Sequence, residues 1–155
     1  MVTIVDLCWE SEKVVKYSET KNNTMILDDK LLDGVTEKAK QSERLRMNYN
    51  LHESLDAKAQ RLFNALEPGT QLPIHRHRDT AETYILVRGR MNVIFYNEDG
   101  TVAGISEIDP KKGVYGAHIE KGQWHTLEVL ESGTVLFEVK DGPYKPFQPE
   151  DMMTL

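Results

Sequence analysis

The chain has 155 residues, 39% hydrophobic and 28% charged, the proportions of an ordinary globular protein that folds as one domain. Its net charge of −6 supplies no basic excess for tracking phosphates, and no apolar run is long enough to span a bilayer, so neither nucleic acid nor membrane is an expected partner. The one cysteine, Cys8, excludes an intrachain disulfide and fits a reducing, cytoplasmic setting.

Residues 1–24 read as an N-terminal extension whose structure the sequence leaves open. V-T-I-V-D-L-C-W suits a short strand, Asp6 and Glu10 break up any signal-peptide core, and S-E-T-K-N-N-T is polar and turn-rich like a linker. Residues 25–47 form the next unit, an N-terminal helix and a connection expected to pack on the β domain. Leu31, Leu32, Val35 and Ala39 recur at helical spacing, Asp28 or Asp29 can cap the N-terminus, and Lys38, Lys40 and Arg44 suit the C-terminal end of the dipole.

From residue 48 to 155 the period changes. After a loop-like N-Y-N-L-H-E-S-L-D come eight strand-like runs: R-L-F-N-A-L-E, Q-L-P-I-H-R-H, E-T-Y-I-L-V-R, M-N-V-I-F-Y, V-A-G-I-S-E-I, V-Y-G-A-H-I-E, W-H-T-L-E-V-L and T-V-L-F-E-V-K. Tight turn signals separate them and no helical pattern intervenes, which predicts an all-β antiparallel sandwich or barrel. The proline-rich tail D-G-P-Y-K-P-F-Q-P is expected to wrap over the outside.

Chemistry concentrates in G-T-Q-L-P-I-H-R-H-R-D-T-A-E-T-Y-I-L-V-R-G, residues 69–89. Positions i and i+2 of a strand share a face, so His75 and His77 project together and Arg76 points away. After the turn R-D-T-A, an antiparallel neighbour brings Glu82 alongside them. His125 opens a later strand with Leu127 and Val129 on its face. A bare H-x-H pair is more often a surface or hydrogen-bonded pair than a metal site; the four residues together suit one divalent transition metal, iron, manganese, nickel, cobalt or zinc. Four protein ligands leave coordination positions open, as a catalytic site requires.

The same stretch resembles the first cupin motif, G-x5-H-x-H-x4-E-x6-G, at every defined position: Gly69, His75, His77, Glu82 and Gly89. The second motif, G-x5-P-x-G-x2-H-x3-N, is kept at Gly122 and His125, while Val114, Glu120 and Val129 replace its other residues. The resemblance implies a double-stranded β-helix, or jelly roll, with His75, His77, Glu82 and His125 as metal ligands. N-Y-N-L-H-E-S-L-D, P-I-H-R-H-R-D-T-A-E, W-H-T-L and F-E-V-K-D-G-P-Y are further similar to the WbuC-type cupin fold metalloproteins. That similarity runs from about Met25 to Pro146 and implies a bacterial protein linked to surface-polysaccharide (O-antigen) biosynthesis, acting on a sugar or sugar-nucleotide intermediate. Tyr49, Asn50 or His52 would then cover the barrel mouth.

Period-two alternation from Glu82 places Tyr84 and Arg88 on the ligand face, where an arginine suits an anionic or sugar-like small molecule. His118 is read as a non-ligand. Three functions stay open: a metal-dependent isomerase or lyase, an iron-dependent oxygenase, and a non-catalytic ligand-binding module. A second copy of the chain, as a homodimer, is the one macromolecular partner expected.

Overall fold

The computed structural model describes residues 23–155, so the strand reading of V-T-I-V-D-L-C-W lies outside the described residues. Helix α1 (Asp29–Gln41) begins at Asp28, whose side chain accepts a 3.0 Å bond from the Leu31 N–H and so satisfies one of the free donors of the first turn. It ends at Ser42, whose extended backbone N–H donates to the carbonyls of Lys38 and Ala39. Leu31, Leu32, Val35 and Ala39 form its buried face.

The strands are β1 (Arg46–Asn50), β2 (Ala59–Leu66), β3 (Ile74–His75), β4 (Glu82–Arg88), β5 (Met91–Tyr96), β6 (Val102–Ile108), β7 (Gly116–Ile119), β8 (Trp124–Val129), β9 (Thr134–Asp141) and β10 (Met152–Met153). They form two antiparallel five-stranded sheets, ordered β1-β2-β9-β4-β7 and β10-β3-β8-β5-β6. From β3 onward the chain repeatedly crosses between the sheets, which is the jelly-roll arrangement expected from the sequence. Between the sheets lies a core that includes Leu66, Leu86, Met91, Val93, Ile108, Leu127 and Leu136.

A second cluster sits outside the first sheet. There α1 packs Leu31, Leu32, Val35 and Ala39 onto Phe63, Ala65 and Val135, with Met47, Tyr49, Leu51 and Phe137 at its edge. At roughly 1.5–3 kcal/mol per fully buried large aliphatic side chain, Leu31, Leu32 and Val35 contribute about 5–9 kcal/mol as an upper bound. That is enough to hold a helix too short to persist alone.

The second cluster corrects the loop reading of N-Y-N-L-H-E. Arg46–Asn50 is a strand paired with β2, its alternate residues Met47 and Tyr49 facing α1. Asn48 and Asn50 face the barrel interior, and an inner face that is polar conceals the strand from a hydrophobic pattern. Other strands shrink: Q-L-P-I-H-R-H keeps only Ile74–His75, and V-Y-G-A-H-I-E begins at Gly116. The tail, expected on the outside, instead places Tyr144, Lys145 and Phe147 on the wall of the cavity beside His75 and His77, and then adds β10, which pairs with β3.

Register on the inner face of the first sheet sets side chains in cross-strand rows. Gln60, Lys140 and Glu82 form one row; Asn50, Leu62, Glu138 and Tyr84 the next; Asn48, Asn64, Leu136 and Leu86 the third. The glycine closing the motif stretch is required: Gly89 has φ +87°, and a Cβ there would lie 2.2 Å from Thr134 Oγ1 and 2.6 Å from its Cα.

Candidate metal centre

Three separate segments bring the polar residues to one end of the barrel. His75 ends β3 and is the register partner of His125 near the start of β8. His77 follows in the loop, tied down by its own carbonyl, which accepts a 2.6 Å bond from the Gly122 N–H. Gly122 has φ +82°, a turn conformation that suits glycine, and this turn leads directly into His125. Arg76 points the other way, its guanidinium 4.3 Å from the centre of the Trp124 ring and 2.9 Å from Glu98 Oε1.

Glu82 opens β4 and is almost fully buried at 2% exposure. Ligating atoms of His75, His77 and Glu82 all lie within 4.8 Å of one another. The Nε2 atoms of His75 and His77 are 3.9 and 3.5 Å from the carboxylate, and that of His125 is 2.6 Å from Oε1. His125 joins the group through Glu82 and His75, its ring 4.3 Å from that of His75 but 6.4 Å from that of His77.

Hydrogen bonding fixes which nitrogens face the centre. His75 Nδ1 donates to the Pro73 carbonyl at 3.0 Å, and His125 Nδ1 donates to the Gln123 carbonyl at 2.9 Å. A carbonyl only accepts, so in each neutral ring the proton is on Nδ1 and the Nε2 lone pair points inward. The Glu82 oxygens are buried without a geometrically satisfied donor. Lone pairs therefore converge on lone pairs, an arrangement that a divalent cation satisfies and that backbone-anchored metal-binding histidines share.

Electrostatics agree with the geometry. Burial, reinforced by the neighbouring His125, pushes His75 down to about 3, so its imidazole is neutral. Burial pushes Glu82 upward, but the adjacent His125 and His77 outweigh it and hold the carboxyl well below the usual range. Tyr84, whose hydroxyl is 3.4 Å from His125 Nε2, is raised well above the ordinary phenol value by burial and by the charges of Glu82 and Glu138. It is a neutral phenol beside the centre.

His75, His77 and Glu82 lie on the wall of a cavity of about 160 Å³, room for on the order of ten water-sized atoms. Its floor includes Leu62, Leu66, Leu72 and Leu127, and Phe147 of the tail stacks 4.7 Å from His75 and 5.3 Å from His77. Asn50, expected near the mouth, lines this cavity together with His52. Tyr49 does not: one position along the strand, it faces α1 instead, with its hydroxyl 3.6 Å from Met25 Sδ.

Arg88 is the second correction. A bulge between Leu86 and Arg88 pairs Arg88 with Val135, which faces α1, and thereby turns the guanidinium out of the barrel. It binds Asp33 at 2.7 Å and Asp29 at 3.7 Å on the helix. His118 lies on the outer face, 2.9 Å from Thr83 Oγ1 and away from the centre.

Sequence reasoning missed Glu138 and Lys140, which face the cavity, as do Arg46 and Lys145. Their signal was the alternation Leu136, Glu138, Lys140, which places two charges in line with an inward-facing leucine. Lys140 Nζ is 3.2 Å from Glu138 Oε1. Burial works against the lysine's charge, but Glu138 and Glu82 outweigh it and raise Lys140 above its usual value.

The fold is the jelly roll of cupin domains. The chain belongs to the family described as a domain of unknown function, DUF6016, whose model matches residues 27–108, more than half of the sequence. No curated protein matches it. Among solved structures it is similar to KdgF from Halomonas sp., at 13% identity and a TM-score of 0.50 over 64% of this chain and 80% of that one. It is also similar to the cupin domain of Schizosaccharomyces pombe Cnp3, at 8% identity and a TM-score of 0.51 over 64% and 66% of the two chains. At such identities the likeness is one of fold. No helix among the described residues is long and apolar enough to cross a membrane.

Proposed function

We propose that the protein is a metal-dependent cupin in which His75, His77, Glu82 and His125 hold one divalent transition metal, and that the adjoining cavity takes a small polar ligand of about monosaccharide size. The observation that carries this reading is the pair of Nδ1 anchors to the Pro73 and Gln123 carbonyls, which aims both Nε2 lone pairs at the buried Glu82 carboxylate. A bound divalent metal would supply Lewis-acid polarisation of a ligand oxygen. Tyr84 holds a proton next to the ligand cavity, Phe147 and the leucine floor exclude water, and the amides of Asn48, Asn50 and Asn64 orient the ligand.

Isomerase or lyase chemistry on a sugar fits this arrangement of a metal, a nearby phenol and a polar wall. The cavity volume favours the sugar alone over a whole nucleotide sugar inside the barrel. The finer assignment, a WbuC-type protein of surface-polysaccharide biosynthesis in the bacterial cytoplasm, is supported by the similarity of its sequence segments. Elemental analysis of untagged protein tests the central reading. Near-stoichiometric metal in the wild type and its loss from the His75→Ala/His77→Ala double variant are expected, whereas equal metal in both would refute the ligand assignment.

A further inference from the structure

We propose that Glu138, bracketed by Asn64 and Lys140, is the second anchor of the cavity and reads hydroxyl groups. The ligand is then a polyhydroxylated, sugar-like molecule held by the metal at one end and by Glu138 at the other. This inference rests on the proposed metal centre and adds to it the residue that recognises the ligand's hydroxyl groups.

Glu138 lies directly across from Tyr84 in the register and is the diagonal neighbour of Glu82, a separation of roughly 7–8 Å between backbone positions. A molecule with one oxygen on the metal and hydroxyls a few bonds away spans that interval within a cavity of about 160 Å³.

An apolar residue would serve packing at this position equally well. Inward-facing neighbours Leu62 and Leu136 are apolar and buried, yet Glu138, 8% exposed, and Lys140 bring a carboxylate and an ammonium to the same face. A buried ion pair is often replaceable by packed hydrophobic residues with no loss of stability, so burial alone gives little reason for the pair. The metal ligands make no hydrogen bond to Glu138; its partners are Asn64 and Lys140.

Bonding capacity then selects the ligand chemistry. Oε2 accepts from Asn64 Nδ2 at 2.9 Å, and Oε1 faces Lys140 Nζ at 3.2 Å. A carboxylate offers about four lone-pair sites, so roughly two remain for a ligand donor. Lys140 already supplies the local cation and would repel a ligand ammonium, which leaves hydroxyls as the suitable donors. Asn50, on the cavity wall, adds an amide that both donates and accepts, as vicinal hydroxyls require, and Leu127 offers an apolar surface to C–H groups.

Calorimetric titration of the manganese(II)-loaded protein with glycolate and with gluconate tests this. Both acids can reach the metal, but only gluconate carries hydroxyls as far as Glu138. Gluconate is expected to bind at least about tenfold more tightly than glycolate, a difference of about 1.4 kcal/mol. Glu138→Gln, which keeps the side-chain shape, should abolish that advantage without reducing manganese content or glycolate affinity. Asn64→Ala should reduce the advantage in part and guards against a folding artefact of the first variant. Equal affinities for the two acids in the wild type, or an undiminished gluconate preference in Glu138→Gln, would overturn the inference while leaving the metal centre standing. Failure of the wild type to retain manganese would overturn both.

Discussion

Acid should destabilise the metal-free protein through His75. Its folded-state value of about 3 lies below the 6.5 of an unfolded histidine, and burial is the main cause. Between those values the unfolded chain binds a proton that the folded chain does not, so stability rises with pH across that window and is lost as pH falls below about 6.5. At pH 5.5 the loss from this one group is about 1.4 kcal/mol, set by the unfolded value because the folded imidazole is still neutral. For a domain of this size that corresponds to a melting temperature lower by about 3–6 °C than at pH 7.5. The perturbation is His75→Asn, whose amide can still donate to the Pro73 carbonyl but does not titrate. The assay is urea or thermal unfolding of chelator-treated protein at the two pH values. The variant should show a pH dependence smaller by about 1.4 kcal/mol. An identical pH dependence in wild type and variant, or greater wild-type stability at pH 5.5, would refute the burial of a neutral imidazole at this position.

Packing and surface pairing set three further outcomes. Gly89→Ala places a Cβ against the Thr134 backbone at positive φ, and should cost roughly 2–4 kcal/mol in urea unfolding. Arg88→Ala should cost at most about 1 kcal/mol and leave metal content unchanged, because the guanidinium pairs with exposed carboxylates on α1 and lies outside the cavity. A chain beginning at Met25 should stay soluble and melt cooperatively, since the cap at Asp28 and the described members of both hydrophobic clusters all follow Met25; insolubility would make the extension part of the fold.

Legibility in the sequence depended on how local each signal was. Helix α1 was readable because its cap and its four apolar residues lie within one short segment. His75, His77 and Glu82 were readable from their spacing in the motif, but not as antiparallel neighbours: β3 ends at His75, His77 follows in the loop, and Glu82 opens a strand of the other sheet, so the three meet between the sheets. Arg88 was misplaced by the same alternation: one bulge shifts the register against β9 and reverses the face, and bulges leave little trace in a hydrophobic pattern. Strand β1 was missed for the opposite reason. Its inward residues Arg46, Asn48 and Asn50 are polar because they line a cavity, so the face that usually announces a strand looked like a loop. Glu138 and Lys140 needed the pairing of β9 with β4, a contact between segments about fifty residues apart, to be recognised as part of the cavity wall.

The central claim is that four side chains of this jelly roll converge on one metal ion. A crystal structure of the cobalt(II)-loaded protein, with an anomalous difference map at the cobalt edge, tests it most directly. One peak is expected about 2.0–2.2 Å from the Nε2 atoms of His75, His77 and His125 and from a Glu82 oxygen. A peak elsewhere, or a fully loaded ion with none of these four as ligands, would contradict it.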